Sequence, residues 1–94
     1  MMTSTVLVVE DELKIRELVR RYLEREGLSV LTTGSGAEAL TMLETQQVDL
    51  IVLDLNLPDM SGYEVLKTLR VSKVSTPILI LSGLAQIEDK VRGL

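Results

Sequence analysis

The chain has 94 residues, with 10 Lys and Arg against 14 Asp and Glu and a formal net charge of −4. That length suits one small domain, and the acidic balance with two Tyr, no Phe and no Trp argues against a nucleic-acid interface, which needs cations and stacking rings. The absence of Cys and His removes disulfides, thiolate nucleophiles, Cys/His zinc sites and phosphohistidine, so any chemistry must run on carboxylates and hydroxyls.

No basic leader precedes the first apolar run, and no apolar stretch approaches the roughly 18 residues of a membrane span. A cytoplasmic location away from membranes is the expectation. Short apolar runs then alternate with helical patterns, the rhythm of βαβ units. Val6-Leu7-Val8-Val9 is apolar throughout, as a strand buried on both faces should be. Ile15, Leu18, Val19, Tyr22 and Leu23 recur on a helical period, and Gly27 sits where a left-handed residue would stop that helix. A weaker strand is expected around Leu28 to Thr32. Ser35-Gly36-Ala37-Glu38 reads as a capping box opening a short helix that ends near Glu44, with Leu40 and Leu43 inward.

The run Asp49-Leu50-Ile51-Val52-Leu53-Asp54 is the clearest central strand, apolar inside and acidic at both ends. A loop with Pro58 and Gly62 leads to a second capping box, Ser61-Gly62-Tyr63-Glu64, and to a helix presenting Val65, Leu66 and Leu69, with Arg70 near its end. Pro77 precedes Ile78-Leu79-Ile80-Leu81, expected to be a further strand buried on both faces and closed by Ser82-Gly83. Ile87, Val91 and Leu94 are spaced for a fourth helix.

Four βα units with right-handed crossovers predict an α/β fold with an open, doubly wound parallel sheet. Chemistry in such a sheet sits at the carboxyl ends of its strands. Those ends carry Glu10, Asp11 and Glu12 after the first strand, Asp54 after the third and Ser82 after the fourth. In a flavodoxin-like order the first and third strands are neighbours, and Glu10, Asp11 and Asp54 converge. Close carboxylate pairs cost a few kcal/mol each at an effective dielectric of about 20, and a hard divalent cation with oxygen ligands would remove that cost. Mg²⁺ fits, with Asp11 and Asp54 as direct ligands, Glu10 through water and a backbone carbonyl near Asn56. Asp11 would equally serve as a helix cap and Ser82-Gly83 as a plain turn. Asp54 is harder to explain structurally, because an acid ending an apolar strand is poorly solvated unless something pairs with it.

Three segments, VLVVEDE (Val6 to Glu12), LIVLDLNLPDMSG (Leu50 to Gly62) and PILILSG (Pro77 to Gly83), resemble in order and spacing the motifs of bacterial response-regulator receiver domains. The resemblance implies a CheY-like fold with Asp54 as phosphoacceptor, Glu10 and Asp11 as the acidic pair holding Mg²⁺, Asn56 lending its main-chain carbonyl and Ser82 as switch hydroxyl. The phosphoryl donor would be a histidine kinase or histidine phosphotransferase. After transfer, Ser82 and backbone N–H groups near Gly83 and Leu84 would engage the phosphoryl oxygens and shift a protein-binding face.

The pattern departs from the family in lacking the fifth strand and helix and a Lys-Pro pair; Lys14, Lys67, Lys73 and Lys90 do not occupy that place. The expectations are a receiver with no output domain, a truncated piece of a longer regulator, slow phosphorylation, and self-association through the exposed fourth strand and helix. Two other functions stay open. Asp54-Leu55-Asn56 is similar to the Asp-x-Asp of aspartate-nucleophile phosphohydrolases, although an amide at Asn56 cannot supply their acid/base; a phosphorylation-incompetent interaction module would bind through the same loops. A flavodoxin-like mononucleotide site conflicts with Glu10-Asp11-Glu12, which would repel phosphate.

Overall fold

The apolar runs become strands, and each is followed by a segment of helical period. In the computed structural model, which describes residues 3–81, the order is β1 (Thr5–Val9), α1 (Leu13–Arg25), β2 (Ser29–Thr33), α2 (Gly36–Thr45), β3 (Leu50–Leu53), α3 (Gly62–Val71) and β4 (Ile78–Ile80). Ser82, Gly83, Leu84 and the fourth-helix residues Ile87, Val91 and Leu94 lie outside the described residues. No helix among the described residues is long and apolar enough to cross a membrane.

The sheet is parallel throughout with strand order β2-β1-β3-β4, as the flavodoxin-like reading requires for these strands. Register pairs Val9 with Leu53 at the ends of β1 and β3, so the residues that follow them emerge side by side. Alternation then divides the core. Leu7, Val9, Ile51 and Leu53 face Ala39 of α2 and Val65 and Leu69 of α3, whereas Val6, Val8 and Val52 face Val19 and Leu23 of α1. Fully burying each such aliphatic side chain contributes roughly 1.5–3 kcal/mol, and with no Phe or Trp the core is aliphatic on both sides.

Helix ends follow local chemistry. Gly27, at φ 86°, closes α1 with its N–H on the Glu24 carbonyl, and Leu28 N–H reaches the Leu23 carbonyl, the paired bonds of a left-handed helix stop. Ser35 caps α2 by accepting the Glu38 N–H, while its own N–H donates to Thr33 Oγ1. The Ser61 cap differs from the expected box: its Oγ accepts from Tyr63 N–H, and Glu64 N–H donates to the Ser61 carbonyl instead.

One expectation is corrected. The fourth strand is three residues long and is not buried on both faces, since Leu79 is 56% exposed. Leu79 shares a register row with Val52, but α1 packs over β1 and β2. The described helices therefore leave that face of the edge strand uncovered.

Candidate functional site

The carboxyl edge of the sheet gathers Glu10 and Asp11 from the end of β1 with Asp54 from the end of β3. One carboxylate oxygen from each lies within 4.8 Å of the others. Glu10 is 4% exposed and Asp54 8%, whereas Asp11 is open to solvent. A cleft lined by these three, Glu12, Ile15, Asn56 and Leu81 opens above them.

Backbone bonds set the positions. Asp54 N–H donates to the Val9 carbonyl at 2.9 Å and Glu10 N–H to the Thr33 carbonyl at 3.0 Å, each extending the parallel ladder by one rung. Both acids thus start from the rigid sheet. Glu10 Oε1 accepts the Glu12 N–H at 3.0 Å, and the Arg16 guanidinium donates to the Glu10 carbonyl at 3.0 Å. Glu12, not Asp11, is the N-cap residue of α1, and its side chain makes no cap bond. The capping role open to Asp11 in the sequence is therefore not used, and its carboxylate joins the acidic group.

The electrostatics follow from this crowding. Burial pushes the Glu10 carboxyl up from 4.5 to about 7; the Glu12 N–H opposes the shift, and Asp54 and Asp11 add to it. Three oxygen-donor carboxylates, one of them driven toward its neutral form by burial and its neighbours, form a donor set that fits a small hard cation.

Loop 55–61 folds back beside the site. Asn56 N–H donates to Asp54 Oδ1 at 3.0 Å, Asn56 and Ser61 form an isolated antiparallel bridge, and Gly62 N–H closes on the Leu55 carbonyl at 2.9 Å. Gly62 is required here by close approach: a Cβ would sit 2.5 Å from Leu55 Cα and 2.6 Å from the Asp54 carbonyl oxygen. Two contributors escaped the sequence analysis. Arg16 is one of several charges on α1 and nothing local distinguishes it from Arg20, which pairs with Glu17 and Glu24, and Asp59 acts on residues more than twenty positions away. An acid just after Pro58 in a loop beside a helix start was the only local signal. Ser82 falls outside the described residues, so its expected place near Asp54 is not observed.

A doubly wound parallel sheet bearing a trio of carboxylates at its carboxyl edge defines a class of signalling domain as well as a shape. Residues 6–94 match the response regulator receiver domain family, and the chain belongs to it. It is 57% identical over 89 residues to the cell cycle response regulator CtrA of Brucella abortus (strain 2308) and equally to that of Brucella ovis, covering 95% of this chain and 38% of each relative. The chain thus spans well under half the length of these relatives. Among solved structures, Vibrio cholerae CheY4 superposes with a TM-score of 0.80 at 36% identity, over 84% of this chain and 68% of that one. The response regulator MaeR bound to beryllium trifluoride gives 0.79 at 27% identity, over 84% and 66%. The protein is a receiver domain of the two-component type, and its Glu10/Asp11/Asp54 pocket fits the family's phosphoacceptor site.

Proposed function

We propose that Asp54 is the phosphoacceptor of this receiver. The observation that carries the reading is the convergence of Glu10, Asp11 and Asp54 within 4.8 Å at the end of the two central strands. An Asp54 carboxylate oxygen would attack the phosphorus of a phosphohistidine on a histidine kinase or histidine phosphotransferase; the P–N bond breaks, the imidazole leaves, and an acyl phosphate forms on Asp54. The Asn56 N–H on Asp54 Oδ1 orients the carboxylate and leaves the second oxygen for attack. Asp11 and Asp54 would hold Mg²⁺ directly and Glu10 through water, with Asn56 adding its main-chain carbonyl. When bound, Mg²⁺ neutralises charge on the carboxylates and the transferring phosphoryl group.

Ser82 would then read the phosphoryl group as the switch hydroxyl. The chain works as a cytoplasmic signalling domain, not as an enzyme with turnover beyond its own phosphorylation and slow hydrolysis. A second copy would pair through the exposed edge at β4, where Leu79 and unpaired strand backbone face outward among the described residues.

The test is the intact mass of the protein and of Asp54→Ala after incubation with Mg²⁺ and a small acyl-phosphate donor. The expected result is a gain of about 80 Da, one phosphoryl group, that requires both Asp54 and the metal. No gain in the folded wild-type protein would overturn the phosphoacceptor role and leave a receiver-shaped binding module.

A further inference from the structure

Asp59 does not touch the acidic cluster, yet it is the most heavily engaged side chain of the loop that follows Asp54. Its Oδ1 accepts the Gly36 N–H at 3.0 Å, and its Oδ2 accepts the Ala37 N–H at 3.0 Å and the Ser35 hydroxyl at 2.9 Å. These donors are the first turn of α2 and its cap residue. Helix N-termini carry free N–H groups and partial positive charge, so a carboxylate from elsewhere in the chain is well placed there. The N–H bonds hold the Asp59 carboxyl down at about 2, so the clamp stays charged through the physiological range.

The neighbouring residue fastens the same loop by packing. Met60 lies so close over Gly36 that a Cβ there would meet its Cγ at 2.5 Å and its Sδ at 3.0 Å. Polar and apolar contacts therefore fix loop 55–61 on α2, 22 to 24 residues earlier in sequence. Within that loop Asn56 gives its N–H to Asp54 and is bridged to Ser61. With the start of the loop held by β3 and its far side held by Asp59, the Asn56 peptide has little freedom to rotate.

We propose that Asp59 is a positioning residue: by clamping the loop onto the first turn of α2 it fixes the Asn56 peptide against Asp54, and with it one side of the cation and phosphoryl site. The metal part of this inference rests on the phosphoacceptor reading above; the part concerning Asn56 does not.

The test compares wild type, Asp59→Ala, Asp59→Asn and Gly27→Ala, the last a destabilised control at the opposite end of the fold. Amide hydrogen exchange at Asn56 is read by NMR without metal, and Mg²⁺ binding by calorimetry. Asp59→Ala is expected to speed Asn56 exchange at least about tenfold and to weaken Mg²⁺ binding about tenfold, the effect usual for partners that orient a ligand. Asp59→Asn keeps a carbonyl oxygen for part of the donor set and should fall between; it also supplies the answer if the alanine variant does not fold. Gly27→Ala should change neither readout, since lost stability alone does not free the loop. Wild-type exchange at Asn56 in both Asp59 variants, or an equal rise in Gly27→Ala, would overturn the proposal. Failure of the wild-type protein to bind Mg²⁺ would instead sink the metal-site reading, and Asn56 exchange would still decide the role of Asp59.

Discussion

Asp49 and Asp54 close the two ends of one apolar strand and do different work. Asp49 is exposed, and its Oδ2 accepts the Thr5 N–H at 2.7 Å, tying the start of β1 to β3. Asp54, at the carboxyl end, is buried among other acids. Glu10 carries the clearest electrostatic consequence. Its folded-state value of about 7 lies above its ordinary 4.5, so the folded protein holds the proton more tightly than the unfolded chain. This group's contribution is fully present below about pH 4.5 and is lost as pH rises through about 7. Denaturant titrations in EDTA should show stability falling across that window, and Glu10→Gln, which keeps an acceptor for the Glu12 N–H, should flatten the fall. The same variant should weaken Mg²⁺ binding above pH 7, where the wild-type carboxylate is charged. Asp59 acts in a separate window: its depressed value protects the fold above about pH 4 and fails only toward pH 2. Gly62→Ala puts a methyl group against backbone on two sides and should cost about 1–3 kcal/mol in denaturant midpoint measurements, as overpacking does.

At the scale of elements, α1 and α3 end in the same hydrogen-bonded stop built from different residues. After α3, Lys73 N–H meets the Arg70 carbonyl and Val74 N–H the Leu69 carbonyl, matching the bonds made by Gly27 and Leu28 after α1. Lys73 sits at φ 60°, a left-handed conformation that disfavours any residue with a Cβ. Lys73→Gly should therefore stabilise by roughly 0.5–1 kcal/mol and Gly27→Ala should destabilise by about 1 kcal/mol, both read from urea midpoints. The Gly27 stop was legible in the sequence because glycine advertises that conformation. The Lys73 stop was not, since lysine is an ordinary helix residue and carries no local signal for φ 60°. The capping serines were legible as well, although the sequence could not tell that Ser61 would accept from Tyr63, or that Ser35 would share its helix end with Asp59.

At the scale of the whole molecule, strand order decides both the site and the exposed surface. Placing β1 beside β3 makes the acidic pocket; among the described residues β4 lies at the edge with Leu79 56% exposed, and α1 keeps Leu18 and Tyr22 70% and 63% exposed. An apolar edge strand of this kind invites pairing. Sedimentation velocity should show concentration-dependent association that Leu79→Thr reduces; a single monomeric species from micromolar to millimolar protein would contradict this.

Periodicity and residue chemistry determined the alternation of strands and helices, the aliphatic core and the acids Glu10, Asp11 and Asp54 at the strand ends, because apolar patterning and the position of an acid next to an apolar run are local properties. Tertiary structure alone decided that Glu10 and Asp54 are buried while Asp11 stays open, that the described helices cover β4 on one face only, and that Asp59 reaches back to α2. Those outcomes depend on which strands are neighbours and which helix covers which face. Contacts between residues more than twenty positions apart have no periodic trace in a single sequence.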